Sequence, residues 1–263
     1  SWLPKAGVAP TPVTALLHAV AVVKTGAFAT MRVTYYSFGT EFLKGTWAQN
    51  LLMALIIFTI VYGCSRGVKE THLKRRLAWS TVSNLSYILF GVILMTPAGL
   101  VGALSHMIFH AAMKICLFFC AGAVIYKTGR NYVHELDGFG RKMPCVFWCF
   151  TLSGLALMGL PGMCGFISKW KLAEAAVESG TVLSYLGIVA LLISALLTAL
   201  YIMPVTVRAF FPGKGFDYDK ISDVKDPNWM ICVPLVLLVV VIFYFGVNSQ
   251  SIVDAFGLVA SGM

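Results

Sequence analysis

Six ionisable side chains stand inside apolar stretches of this 263-residue chain: His18, Lys24, His106, His110, Lys114 and Lys169. A lysine at mid-bilayer costs about 2.5–3.5 kcal/mol on an insertion scale, so three lysines facing lipid would cost roughly 8–10 kcal/mol. Packing needs no lysines, whereas an internal hydrated path does. Snorkelling serves a lysine near a helix end, but Lys24 and Lys114 fall near the middle of their stretches. His106, His110 and Lys114 are spaced i, i+4 and i+8, which places them on one helical stripe. Successive groups are then one turn apart, about 6 Å, a gap that one water bridges. Such a line can accept a proton at one end and release it at the other. An i,i+4 histidine pair also suits a metal or a haem, but no further His or carboxylate lies nearby in sequence to complete a shell. The expectation is therefore a proton relay with no metal and no cofactor.

A lysine relays near neutral pH only where burial makes its ammonium little more stable than its amine, and a carboxylate moving nearer or farther would load or discharge it. No carboxylate stands mid-span here. Glu174 and Glu178 come only after Lys169 and Lys171, so the carboxylate side of any such switch must come from elsewhere.

The elements that position these groups are legible from composition. The chain is 59% hydrophobic and 12% charged, with a mean hydropathy of +0.83. A soluble domain of this length needs more charge to cover its surface, so the class is an all-α polytopic membrane protein. Seven apolar stretches are predicted as spans, at residues 12–36, 48–64, 78–96, 98–126, 144–176, 183–211 and 230–247. They form a single membrane domain over residues 1–263, with no soluble or low-complexity insert. The fifth is too long for one crossing, since 33 residues would reach about 50 Å against a hydrocarbon core of about 30 Å. Gly154, Gly159, Pro161, Gly162 and Gly165 interrupt it, which predicts two half-helices joined by unwound backbone. Bilayers tolerate such a break only where it faces protein or water.

The net charge of +9 collects in the connectors. Lys5, Arg66, Lys69, Lys74, Arg75, Arg76, Lys127, Arg130, Arg141, Lys142, Lys214, Lys220 and Lys225 fall on one side of the predicted topology. Lys44 stands on the other, with Arg32 near a helix end. This is a positive-inside pattern, which puts the rich side in the cytoplasm of a cell inner (plasma) membrane, and it is not a nucleic-acid footprint. Seven cysteines, Cys64, Cys116, Cys120, Cys145, Cys149, Cys164 and Cys232, read as small buried apolar residues rather than cluster ligands. No dinucleotide fingerprint, P-loop or signal peptide is present, so the chain is expected to hold no catalytic site of its own. It opens at Ser1-Trp2-Leu3-Pro4 without an initiator Met and is read as part of a longer protein. Two polar stripes, Ser80/Ser83/Asn84/Tyr87 and Ser194/Thr198/Tyr201, suit either a water lining or helix–helix glue, and glue is the commoner use.

Four segments carry a resemblance. Trp2-Leu3-Pro4 with Ala9-Pro10-Thr11-Pro12-Val13-Thr14-Ala15-Leu16-Leu17-His18 is similar to a W-L-P…A-P-T-P-V-S-A-L-L-H signature. Lys74-Arg75-Arg76-Leu77-Ala78-Trp79-Ser80-Thr81 resembles K-R-x-L-A-Y-S-T. His106 to Lys114 resembles H-x-x-x-H-A-x-x-K, and Pro161 to Lys169 resembles P-P-x-x-G-F-x-S-K. These belong to the proton-translocating antiporter-like subunits of complex I (NADH-quinone oxidoreductase chains L, M and N), membrane-bound hydrogenases and Mrp-type cation/proton antiporters. The resemblance implies a fourteen-helix fold with two inverted five-helix repeats. Residues 1–47 would be the last helix of the first repeat, 48–212 the second repeat, and 213–263 a trailing helix. It implies that Lys24 and His18 connect two half-channels, that Lys114 with His106 and His110 forms the central relay, and that Lys169 is the exit-side lysine. It also implies membrane subunits as partners, with H+ and Na+ or K+ as the ions moved. The implied work is cation/proton antiport, or alternatively proton pumping within a redox complex, in which case the chain is a subunit of a quinone-oxidoreductase-type translocase. Lys5 stands where relatives usually carry Asp, and Trp170 where complex I members often carry Asp. The Ser-Lys-Trp form leans toward the antiporter or hydrogenase branches.

Overall fold

The computed structural model describes residues 2–5, 10–213 and 215–262, without the side chains of Trp2 and Lys220. Lys214 and the part of the opening motif at residues 6–9 lie outside the described residues, as does the side chain of Lys220. The principal helices are α1 (Thr11–Ala19), α2 (Val22–Arg32), α3 (Trp47–Lys69), α4 (Leu73–Ile93), α5 (Pro97–Thr128), α6 (Pro144–Met158), α7 (Cys164–Ser179), α8 (Val182–Phe210), α9 (Trp229–Val247) and α10 (Gln250–Ser261). Their ends carry local signals. Thr46 accepts from Gln49 N at the start of α3, Thr96 accepts from Gly99 N ahead of Pro97 in α5, and Thr181 with Ser184 closes a capping box on α8. Gly129 and Gly180, at φ +68 and +65, end α5 and α7 in the left-handed region that favours glycine.

Five stretches among the described residues are long and apolar enough to cross a membrane: Thr11–Phe38, Trp47–Lys69, Pro97–Thr128, Val182–Phe210 and Trp229–Val247. The other two predicted spans are present as helix but differ in kind. The third begins five residues earlier than expected, at Leu73, so Lys74, Arg75 and Arg76 belong to the first turn of α4 and not to a connector. That start is fixed by a loop pairing, in which Leu73 N donates to Asn131 O and Val133 N to Thr71 O. Arg76 then folds back onto Glu70 O and Tyr201 O, at 2.7 and 3.0 Å. The fifth is broken as expected, into α6 and α7, with Gly159 and Gly162 at φ +95 and +86 in the unwound link.

The first span differs from the single helix that its apolar run predicts. It breaks at Val20–Ala21, between α1 and α2, and passes into a π-helix over Val33–Phe38. The helix α10 is a further element past the last predicted span. It buries Ala260 and sets Val253 and Phe256 against the core where α5 begins.

The long helix α5 is the axis of the bundle, with α1, α4, α6, α7, α9 and α10 packed around it. Its middle buries Phe109, Met113, Leu117 and Phe118 on the same helix as the ionisable stripe. Aliphatic side chains on the outer helices face outward, with Leu192, Leu196 and Leu200 of α8 exposed by 64, 70 and 60%. Such a rim suits hydrocarbon, not water. The molecule is apolar outside and polar at its centre.

Candidate functional site

The stripe on α5 points into the bundle, where His106, His110 and Lys114 are fully buried. The two imidazoles stack with their centroids 5.7 Å apart and 14° between their planes, as one helical turn dictates. Each titratable group is then met by a partner from another helix. Lys24, in the first turn of α2 after the Val20–Ala21 break, places Nζ 2.7 Å from His110 Nδ1. His106 Nδ1 lies 2.9 Å from Ser168 Oγ on α7, and its Nε2 lies 3.2 Å from Asn84 Oδ1 on α4. Lys114 Nζ donates to Leu77 O at 2.8 Å and to Ser80 Oγ, both on α4.

Lys169 sits at the break. Its Nζ donates to Leu157 O and Met158 O, at 2.8 and 2.9 Å. These are carbonyls of the last turn of α6, which a helix end leaves without intrahelical donors. A cation there also meets the negative end of the helix dipole. The unwinding therefore creates the polar socket that the lysine fills, in a chain whose described mid-span residues include no carboxylate to do so. Gly159 makes the approach possible, because a Cβ at that position would stand 3.1 Å from Lys169 Cδ and 3.5 Å from Nζ. Gly165 seats α7 against α6 in the same way, since a Cβ there would collide with Ala156 O. The Lys169 ammonium also lies over the Tyr87 ring at 5.4 Å, and Tyr87 packs on His106 with centroids 5.3 Å apart.

His18 ends α1 next to the break and stacks on Phe118 at 5.2 Å. Both of its ring nitrogens, and His110 Nε2, are buried with no hydrogen-bonding partner among the described residues. Buried polar atoms are rarely left so, and a hydrated passage is one environment that satisfies them.

All six sequence-predicted residues thus face one interior seam. His18 touches it through Phe118, which also lies beneath Lys114 at 5.9 Å. Pro161 and Gly162 are exposed at the link, and only Gly165 of the three predicted break residues is buried. Asn84, Ser80, Tyr87 and Ser168 were not singled out as site residues, although the i, i+3, i+4, i+7 spacing of the α4 stripe was visible. Asn84 and Ser80 hydrogen-bond His106 and Lys114 directly, so that stripe lines the seam and does not merely bind helices.

A multi-helix bundle with an apolar rim and a broken helix defines a polytopic membrane protein, with a line of amines and imidazoles buried at its centre. Residues 1–198 match the family described as "NADH:quinone oxidoreductase/Mrp antiporter, TM", and the chain belongs to that family. Among curated relatives, NADH-quinone oxidoreductase subunit N of Desulforudis audaxviator is 35% identical over 81% of this chain and 42% of its own length. F(420)H(2) dehydrogenase subunit L of Methanosarcina mazei is 34% identical over 95% of this chain and 37% of its own. NADH-quinone oxidoreductase subunit L of Rickettsia typhi is 30% identical over 93% of this chain and 36% of its own. The chain therefore spans less than half the length of these relatives. Among solved structures, a chain of the Mrp complex from Dietzia superposes with a TM-score of 0.84 at 22% identity, over 99% of this chain and 55% of that one. A chain of respiratory complex I from Thermus thermophilus gives 0.79 at 23%, over 99% and 54%. Both likenesses establish the fold.

Proposed function

We propose that this chain moves protons across a membrane along its Lys/His/water seam, as one membrane subunit of a multisubunit complex. The observation that carries the reading is the bond between Lys24 Nζ and His110 Nδ1, 2.7 Å long and formed by buried groups 86 residues apart. Nothing in packing asks for it. When the amine is charged it donates to the imidazole, and when the imidazole is charged it donates to the amine, so the pair passes a proton without moving a backbone atom. His106 and Ser168 continue the line toward Lys169, while Lys114 stands one turn along α5 on the other side of His110. A carboxylate able to load and discharge these amines would come from outside this chain, which covers only 36 and 42% of two of its relatives.

Residues 1–47 are the last helix of one repeat, 48–212 a second five-helix repeat, and 213–263 the trailing part, with the charged loops on the cytoplasmic side of the inner membrane. The carried ions are H+, with Na+ or K+ if the complex is an antiporter. A second reading is favoured by the relatives at 30–35% identity, which are subunits of NADH-quinone oxidoreductases and of F(420)H(2) dehydrogenase. In that case electron transfer in partner subunits drives the same seam. Proteoliposomes holding the intact complex separate the two, since an imposed Na+ or K+ gradient drives proton movement only in an antiporter. In either case Lys114→Ala and Lys169→Ala abolish proton flux while the complex still assembles. Wild-type flux in both variants would defeat the relay.

A further inference from the structure

The two ring nitrogens of His106 have unlike partners. Nε2 lies 3.2 Å from Asn84 Oδ1 and Nδ1 lies 2.9 Å from Ser168 Oγ, and all three side chains are buried. An amide and a hydroxyl set different terms for an imidazole. The Asn84 amide is held one way round, because its Nδ2 donates to Ser80 O at 2.8 Å and only the NH2 end can do so. Its Oδ1 therefore faces Nε2, and an amide oxygen only accepts. Nε2 must then carry a proton whether the ring is neutral or charged.

Nδ1 is left as the nitrogen at which the charge changes. The Ser168 hydroxyl meets both states, since its Oγ reaches His106 Nδ1 and Gly165 O, at 2.9 and 3.3 Å. It has one proton to donate. With His106 neutral, that proton goes to Nδ1. With His106 charged, Nδ1–H donates to Oγ and the hydroxyl donates to Gly165 O. Tyr87 and His110 pack on the ring, with centroids 5.3 and 5.7 Å away. The His110 ring stacks at 14°, so the faces meet and neither imidazole aims an N–H at the other. The cations nearby are Lys169, over the Tyr87 ring, and Lys24, which bonds His110 one turn along α5.

We propose that Asn84 is a positioning residue that keeps His106 protonated on Nε2, and that Ser168 is the one port through which His106 takes up and returns a proton. The port rests on the proton reading above, whereas the fixed Nε2–H does not. In uptake, a hydronium in the seam gives a proton to Ser168 Oγ as the hydroxyl gives its own proton to Nδ1. The new O–H then turns to Gly165 O. A water and an imidazolium remain, and no electron changes place. Release reverses each step, and a hydroxyl rotor turns to suit either state. A proton bound for Lys169 thus enters and leaves His106 by the same nitrogen, and His110 does not load it face to face. Ser168 directly precedes Lys169 on α7, so the port belongs to the broken helix.

The test is magic-angle-spinning NMR of the intact complex in lipid, with histidine labelled by 15N and 13C and the His106 signals assigned by their loss in His106→Gln. At a pH where the ring is neutral, the wild type is expected to carry its proton on Nε2. Asn84→Leu leaves Nε2 without an acceptor and is expected to shift the ring toward the Nδ1–H form. A wild-type ring protonated on Nδ1 overturns the inference whatever the flux. In proteoliposomes with an entrapped pH dye, Ser168→Ala is expected to lower proton flux about tenfold, the scale of one lost hydrogen bond to a charged group. Ser168→Thr, which keeps the hydroxyl, is expected to recover most of it. Unchanged flux in Ser168→Ala overturns the port even where Nε2–H is found. Wild-type flux in Lys114→Ala overturns the proton reading itself, and with it the port, but not the fixed Nε2–H.

Discussion

Gly159 and Gly162 provide a matched pair of perturbations at the break. Both hold φ near +90°, at +95 and +86, so an alanine at either position costs about 1–2 kcal/mol of backbone strain. They differ in what a methyl would touch. At Gly162 nothing lies within 4 Å, whereas at Gly159 the new carbon would stand 3.1 Å from Lys169 Cδ. Gly159→Ala therefore pushes the lysine away from Leu157 O and Met158 O, which it now reaches at 2.8 and 2.9 Å. Losing one charge-assisted bond is worth about 1.5–3 kcal/mol, and the lower value is roughly a tenfold change in the population of the seated ammonium. Gly162→Ala is expected to lose stability by the strain alone and Gly159→Ala by the strain plus the lost bond, read by scanning fluorimetry in detergent. Only Gly159→Ala is expected to lose proton flux, by about tenfold on the same arithmetic. Equal flux in the two variants would refute the idea that seating Lys169 on the α6 terminus matters for conduction.

Other outcomes follow from neighbouring contacts. Asn84→Leu removes the partner of His106 Nε2 at 3.2 Å and should slow flux without blocking assembly, read in the same liposomes. Asp226 accepts from Cys145 N and Val146 N at 3.1 and 3.3 Å, so Asp226→Ala should cost about 0.5–2 kcal/mol as a lost helix cap, seen as a lower melting temperature. Thr46→Ala removes the cap of α3, far from the seam, and should lower stability by about 1 kcal/mol with flux unchanged. Glu135, in the exposed loop after α5, has its carboxyl held below the usual 4.5, first by the backbone N–H of Tyr132 and then by that of Asn131. Its folded value is the lower one, so its contribution is present above 4.5 and is lost as pH falls through that folded value. Glu135→Gln should flatten the acid side of a melting-temperature profile, and an unaltered profile would count against the contact.

The sequence exposed what periodicity and punctuation can carry. The His106/His110/Lys114 stripe follows from spacing alone, and the α6–α7 break from Pro161, Gly162 and a stretch too long for one crossing. The break at Val20–Ala21 had no such marker, because alanine and valine are ordinary helix residues and the apolar run continues through them. Lys24 is positioned by that break, so its pairing with His110 was invisible to any local pattern. The Ser80 and Asn84 stripe was visible but ambiguous, since a small polar face serves helix packing as well as a seam. Only the arrival of Lys114 and His106 from α5 decides between them. Three consecutive basic residues resemble a connector, while the loop pairing with Asn131 and Val133 sets the start of α4 at Leu73.

The most direct test of the proposed relay is whether Lys114 changes its protonation during turnover. Difference infrared spectra of the intact complex labelled with 15N-lysine, recorded as a proton gradient is applied, would show it. An isotope-sensitive ammonium band that rises and falls with the gradient, and vanishes in Lys114→Met, is the result expected. A Lys114 band that holds constant while protons cross would contradict it.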